Sequence, residues 1–189
     1  MAEQARLEVS DPQIMRALAH PARLSIMDHF LSGRTGTATE LAELCGLSPS
    51  ATSYHLRALA RYGLVEEAPS RGDGRERVWQ TRMAGMTVDG GPDQSAEAQQ
   101  AARELTDAYL VHNDARARQW LQRSADEPPE WVRASVFSEA ILQLTAEELT
   151  ELTEAVHRLL RRYSRSRRTD APPQARTVSA VFRAFPIGD

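Results

Sequence analysis

The sequence predicts an α+β fold. Short helices with clear boundary signals occupy the first third of the chain, and a strand-like segment interrupted by glycines follows them. A helical pattern of about thirty residues comes next, and strand and helix patterns alternate in the last part. With 189 residues, the chain can hold one moderate domain or two small ones.

The first two helices are delimited by prolines. Asp11 can cap a helix that begins at Pro12 and ends near His20, because Pro21 disfavours a helical conformation in the residue before it. Pro21 then suits the first position of a second helix, which closes at residues 32–33.

A third and a fourth helix follow, joined by a tight turn at residues 45–48. Thr37 and Glu40 form a capping-box pattern ahead of a helix whose Leu41 and Leu44 should face inward. The fourth helix should run from about residue 49 to about residue 62. Its N-terminus has a cap and a first-turn proline, and a glycine follows its C-terminus: Ser48, Pro49 and Gly63.

The fourth helix has two unlike sides. Thr52, Leu56 and Leu59 recur at helical spacing and predict a buried stripe. The other side carries hydroxyl and cationic groups on Ser50, Ser53, Tyr54, Arg57 and Arg61. Two short helices around a glycine-containing turn are the helix-turn-helix pattern, and hydroxyl and guanidinium groups suit base edges and phosphates in the major groove of DNA. An ordinary surface helix is the alternative.

Residues 64–80 predict a β-hairpin beside this helix. Residues 64–67 and 75–80 form its arms, and a turn-rich segment around Gly72 and Gly74 connects them. Such a wing would offer its arginines to the DNA backbone or minor groove: Arg71, Arg75 and Arg77. A plain solvated hairpin is the alternative.

Several segments, in order, resemble the ArsR/SmtB winged-helix transcriptional regulators: residues 18–27, 40–48, 53–59 and 63–65. The resemblance covers about residues 11–82 and implies a homodimeric repressor or activator. It places the base-reading positions at Pro49, Ser50, Ser53, Tyr54 and Arg57, whereas His55 is expected to pack or to contact backbone.

No metal or cofactor is expected. Residues 37–43 lack the paired cysteines of the metal-sensing members of that family, and Cys45 is the only cysteine in the chain. His112 falls on an apolar helix face and is expected to pack there. The single cysteine, the absence of a long apolar run and the form of the N-terminus predict a cytoplasmic protein without a membrane partner.

The net charge of −3 does not exclude a DNA partner, because basic residues act through their location. All 23 basic side chains are arginine, which we interpret as a compositional bias. Arginines of residues 158–168 form a basic cluster that either contacts DNA or complements the dipole of the helix that ends there.

After a linker at residues 86–95, a helix is predicted over residues 95–124. An apolar side of this helix is formed by Ala98, Ala102, Leu105, Tyr109, His112 and Trp120. Its length of roughly 45 Å favours pairing with its twin in a dimer, and a single helix lying across its own domain is the alternative.

The last predicted domain, residues 131–189, consists of a strand, a helix and a strand. Residues 131–144 and 177–185 alternate in polarity, and Thr145 with Glu148 opens a helix to about residue 163. This domain is expected to serve dimerisation, ligand sensing or both, with Trp120 and Trp131 as candidates to line an apolar cavity.

These patterns predict three parts: a winged helix-turn-helix domain at residues 1–86, a long dimerisation helix at 95–124, and a small C-terminal domain at 131–189. We expect a sequence-specific regulator, most simply a repressor, that binds an inverted-repeat operator as a homodimer. Modulation by a small molecule through the C-terminal domain is an additional hypothesis. A protein-interaction module on the same scaffold is the alternative. Catalysis has no support, because no nucleophile elbow, phosphate-cradling glycine loop or histidine–carboxylate cluster is present.

Overall fold

The computed structural model describes residues 6–70, 76–83, 85–164 and 170–188, and side chains from Val9 onward. The chain forms two compact units, Met1–His112 and Asn113–Asp189. Within the described ranges the elements are β1 (Arg6–Val9), α1 (Pro12–Leu18), α2 (Pro21–Leu31), β2 (Gly36–Thr37), α3 (Ala38–Cys45), α4 (Pro49–Arg61), β3 (Glu66–Glu67), β4 (Val78–Gln80), β5 (Gly85–Val88), α5 (Ala96–Arg123), α6 (Pro129–Ala134) and α7 (Ala146–Tyr163), with a 3₁₀ turn at Ser124–Asp126.

The caps predicted for α1, α3 and α4 are confirmed. The Asp11 carboxylate accepts a hydrogen bond from the Gln13 backbone N–H at 2.7 Å at the start of α1. Thr37 and Glu40 form both hydrogen bonds of the capping box of α3. These local bonds fix where each helix begins, since they satisfy amides that have no partner within the helix.

The core of the first unit lies among α1–α5. Met15, Leu18, Ile26, Leu41 and Leu56 are among its fully buried side chains. Leu44, expected to face inward on α3, is instead 53% exposed. The inward assignment of Leu44 was wrong: within the eight residues of α3, only Leu41 and Ala42 are buried.

Two small sheets frame the helices. In the order β2-β4-β3, an antiparallel sheet pairs Thr37 with Val78 and Glu67 with Trp79, which confirms the two arms of the hairpin and adds β2. A second sheet pairs β1 with β5 in parallel, Val9 lying opposite Val88. The linker predicted at residues 86–95 therefore begins with a strand.

The long helix α5 starts where the sequence predicts. Ala98 N–H donates to Ser95 Oγ at 3.1 Å, and the first turns of the helix bury Ala98, Ala101, Ala102 and Leu105 against the core of the first unit. The division between the two compact units falls inside this helix, after His112.

The second unit corrects the prediction for the C-terminal part. Residues 131–134 belong to α6, and neither 135–144 nor 177–185 forms a strand in the described ranges. The strand-helix-strand order was wrong because alternating polarity stabilises a strand only where one face is covered, and these residues are almost all exposed. The capped helix α7 is confirmed, including its Thr145–Glu148 capping box.

Among the helices of the described ranges, none combines the length and apolar character needed to cross a bilayer.

Candidate nucleic-acid interface

α3, a tight turn and α4 form the centre of the candidate interface. Gly46 adopts a left-handed conformation (φ 63°) that ends α3, and Leu47 N–H donates to Ala42 O at 3.0 Å across the turn. Cys45, at the end of α3, has its Sγ 3.7 Å from Ala22 O, and burial raises the pKa of its thiol. This cysteine thus packs between α2 and α3 and is kept protonated.

Ser48 and Pro49 build the N-terminus of α4. Ser48 Oγ accepts a hydrogen bond from Ala51 N–H at 3.2 Å, and its carbonyl accepts from the Thr52 hydroxyl at 3.1 Å. Ser48 is nevertheless exposed, as are Pro49 and Ser50. The hydroxyl of Ser48 is therefore used as a helix cap and still lies at the surface that would approach DNA.

The two sides of α4 differ as the sequence predicts. Thr52, His55, Leu56 and Leu59 are buried. On the other side Arg57 and Arg61 are exposed, Tyr54 is 60% exposed, and Ser53 is half-buried. Within the described residues, neither arginine forms an ion pair, so their guanidinium groups remain available to an anionic partner.

The buried side of α4 is held by a cluster of polar rings that the sequence did not reveal. Arg23 Nε donates to His55 Nδ1 at 3.3 Å, and its Nη1 donates to Ala17 O at 2.6 Å. The His20 ring lies 4.5 Å from the His55 ring, and His20 Nδ1 caps α2 by accepting from Ala22 N–H at 3.2 Å. The expectation that His55 packs is confirmed by its 8% exposure.

Burial, the main cause, lowers the pKa of both rings. The neighbouring positive charge of Arg23 lowers both further, and His20 adds to the effect on His55. Both histidines therefore favour the neutral form, in which each Nδ1 can accept its hydrogen bond.

Beside the exposed side of α4, α1 and α2 contribute two more arginines, Arg16 and Arg23, to an open cleft that also includes Arg57 and Arg61. Sequence reasoning did not select Arg16 or Arg23. Helical spacing within α4 indicates which residues share its exposed side, but it cannot show which residues of other helices lie next to it.

The described part of the hairpin places Arg77 at its base. Arg77 Nη1 lies 3.0 Å from Glu67 Oε1, and both side chains are mostly exposed. An exposed ion pair of this kind contributes little stability, so a phosphate can replace the carboxylate. Arg71 and Arg75, the other predicted wing residues, lie outside the described residues.

Among the described residues, no group of three histidine, cysteine, aspartate or glutamate side chains could hold a metal ion. His112 instead forms a pair with Asp28 of α2, Nε2 to Oδ2 at 2.5 Å, that joins α5 to the helix-turn-helix scaffold. Burial lowers the pKa of His112.

In the second unit, the two candidate cavity residues are each half-buried. The Arg176 guanidinium lies 4.9 Å from the centre of the Trp131 ring and pairs with Glu127 at 2.7 Å. Trp120 has the Arg123 guanidinium at 5.6 Å from its ring centre. An arginine thus lies over each tryptophan ring, and no described residue of this unit is fully buried.

Comparison with known proteins concerns mainly the first unit. Residues 18–68 match the family model described as "Helix-turn-helix domain". Over 70 residues the chain is 44% identical to the HTH-type transcriptional regulator YgaV of Escherichia coli (strain K12), an alignment that covers 35% of this chain and 70% of YgaV.

Two solved structures are also similar. The crystal structure of a "Possible transcriptional regulator for arsenical resistance" is 25% identical and covers 56% of this chain and 95% of that one, with a TM-score of 0.32. Apo MarR from E. coli is 15% identical and covers 80% of this chain and 88% of its own, with a TM-score of 0.33.

Proposed function

This chain belongs to the helix-turn-helix transcriptional regulators, which bind DNA, and from that premise we propose that it acts as a homodimer on an inverted-repeat operator. The observation that carries the proposal is the polarity of α4. One side is locked into the core, and the other presents Ser50, Ser53, Tyr54, Arg57 and Arg61 to solvent. In the proposed complex this side lies in the major groove, where Arg57 reads a guanine and the hydroxyl groups contact bases and phosphates.

The wing supplies backbone contacts in this proposal. Arg77 exchanges Glu67 for a phosphate, and Arg71 and Arg75 bind phosphates as well. Ser48 keeps its capping hydrogen bond and donates its hydroxyl proton to a phosphate, while Pro49 packs against the groove wall.

The homodimer is supported by apolar surface that the monomer leaves uncovered. With 28 residues, α5 is about 42 Å long, and its Val111 and Leu121 are 71% and 57% exposed. In the second unit, Phe137, Ile141 and Phe185 are each more than 60% exposed. Apolar surface of this extent is typical of an interface between protein chains. Two copies would place their α4 helices in successive major grooves, roughly 34 Å apart.

We assign repression as the mode of regulation, because a dimer bound across an operator blocks the access of other proteins to that DNA. The cytoplasm is the proposed location. The ArsR/SmtB subfamily, and a small-molecule effector acting through the second unit, are parts of the same proposal. The effector would act by changing how two copies associate, and hence how far apart their recognition helices lie.

The test is to select fragments of the source genome that the full-length chain binds, and to measure their affinity at several salt concentrations. A DNA-binding homodimer should enrich inverted repeats, and its affinity should fall steeply as salt rises. In vitro transcription from an enriched fragment then tests repression. If no sequence is enriched and binding does not depend on salt, a protein-interaction module on this scaffold is the better account.

A further inference from the structure

A cleft of about 540 Å³ lies between α1, α2 and the C-terminal half of α4. Arginines form four of its nine lining residues: Arg16 from α1, Arg23 from α2, and Arg57 and Arg61 from α4. No aspartate or glutamate is among the nine, which all lie in the described ranges. Glu97, which lies outside the lining, pairs with Arg16, and the other three guanidinium groups give the cleft a positive local field.

Arg23 is built into this cleft. Its two hydrogen bonds, to Ala17 O and to His55 Nδ1, fix the guanidinium between α1 and α4. A guanidinium that is fixed before a ligand arrives loses little conformational entropy on binding. The cleft is therefore preorganised on one side by a half-buried guanidinium that also holds α1 and α4 together.

Arg16 is held more loosely on the other side. Its Nη1 lies 2.8 Å from Glu97 Oε1, and the two side chains are 45% and 61% exposed. The pKa of Arg16 is raised, first by its hydrogen bond to Glu97 and further by the charges of Glu97 and Glu104. An exposed ion pair is weak, so Arg16 can turn from Glu97 to a phosphate that enters the cleft.

The position of the cleft indicates that the phosphate it would bind belongs to a DNA strand. Tyr54, Arg57 and Arg61 line it and also belong to the exposed side of α4. A strand that borders the major groove occupied by α4 would pass directly over this opening, with its phosphates directed at the protein. The cleft is open to solvent, so a small free anion would keep much of its hydration there, whereas a DNA strand is held by its other contacts as well.

We propose that this cleft is a phosphate-binding site for the DNA backbone, in which Arg16 and Arg23 act with Arg61, beside the base-reading Arg57, to fix the position of the recognition helix along the groove. The inference rests on the proposed function and adds to it two residues and one contact outside α4 and the wing. Its chemistry is charge-assisted hydrogen bonding from guanidinium groups to phosphate oxygens. Because a phosphate contact carries no base information, the site contributes affinity and register and leaves sequence preference unchanged.

The experiment uses the full-length chain and a fragment that the wild type selects. Arg16→Gln is the main variant, because Arg16 is partly exposed and its substitution removes only a surface ion pair. Affinity for the selected fragment and for unrelated DNA should fall by the same factor, and the slope of log affinity against log salt should become shallower by about 0.9. Arg23→Gln should also make the slope shallower, and its stability is measured in parallel because the substitution removes the bonds to Ala17 O and His55 Nδ1. Arg103→Gln, at an exposed arginine on α5 outside this cleft, is the matched control and should change neither quantity.

A neutral methylphosphonate scanned along the fragment identifies the phosphate. Replacement at one position on each half-site should weaken binding of the wild type, and should weaken binding of Arg16→Gln by a smaller factor. Inorganic phosphate added to the protein without DNA, followed by calorimetry, tests the other source of the same chemistry.

If the wild type binds DNA but Arg16→Gln keeps the wild-type salt slope, the inference is overturned and the proposed function stands. If the wild type binds no DNA, both are overturned. Tight binding of inorganic phosphate that depends on Arg16, together with an unchanged DNA slope, would assign the cleft to a free anion and overturn the DNA assignment.

Discussion

Arg23 Nε donates a hydrogen bond to His55 Nδ1 and so joins α2 to the buried side of α4. This bond exists only while Nδ1 is unprotonated, and protonation of His55 is opposed first by burial, which lowers its pKa, and then by His20 and the Arg23 charge. The orientation of α4 is thereby linked to the protonation state of a histidine on its buried side.

Stability should consequently fall in mild acid. The pKa of His55 and that of His20 are lowered in the folded chain, so the unfolded chain binds more protons as the pH drops below about 6.5. The stability that neutral His20 and His55 contribute is fully present above their unfolded-state pKa of about 6.5 and is lost as the pH falls through their lower folded-state pKa values. Urea unfolding of wild type and His55→Gln at about pH 7.5 and about pH 5.5 measures it, and the variant should lose less stability between the two. Equal losses would show that His55 is not a source of the pH dependence.

Arg57→Ala should weaken operator binding by about 5- to 150-fold and relax the preference at one base pair of each half-site, because a bidentate contact with guanine is lost. Competition binding with a set of single-base operator variants measures both effects. Arg103→Ala, which removes an exposed arginine of α5, is the control. Retention of full specificity by Arg57→Ala would mean that a different part of the α4 surface contacts the bases.

Ser48 has a structural role that can be separated from its role in binding. Ser48→Ala removes the cap of α4 and should lower the free energy of unfolding by about 1 kcal/mol, measured by urea denaturation. Ser48→Asp restores a capping oxygen and should restore stability, but its charge should repel phosphate and weaken DNA binding. If Ser48→Asp binds DNA as tightly as wild type, Ser48 lies away from the backbone and acts only as a cap.

Gly90 packs against α5 without room for a side chain. A Cβ at this position would lie 2.5 Å from the Cβ of Ala102, so Gly90→Ala should destabilise the first unit by about 1–3 kcal/mol. Ala102→Gly alone should cost about 1 kcal/mol as a glycine within a helix. In the double variant the clash disappears, so the two losses in thermal or urea unfolding should combine to less than their sum. Strict additivity would indicate that the loop moves away from α5 at little cost.

The helices of the first unit were predictable because their boundary signals are local. Ser48, Pro49 and Thr37 act within one turn of their own position, and the turn at Gly46 needs only its own left-handed conformation. The alternation of α4 between buried and exposed residues follows from the same periodicity.

Contacts between distant residues were not predictable in this way. His112 and Asp28 are separated by 84 positions, and β1 finds its parallel partner in β5 across the whole first unit. A parallel pair of strands is not joined by a hairpin turn, so no turn residues indicate the pairing in the sequence. A two-residue strand such as β2 is too short to show alternation. The C-terminal strands were predicted from alternation alone, and that pattern lacked a second strand to pair with in the described ranges.

The pairing of β1 with β5 also limits how the protein can be shortened. The family match begins at residue 18, the last residue of α1, which would suggest that the segment before it is dispensable. Removal of residues 1–10 would take away Val9, which is 2% exposed and accepts a hydrogen bond from Asp89 N–H at 3.0 Å. It would leave β5 with unpaired backbone groups immediately before the long helix, and an open strand edge recruits other chains. A shortened chain that aggregates would therefore reflect a lost strand partner and say nothing about the solubility of the DNA-binding domain itself.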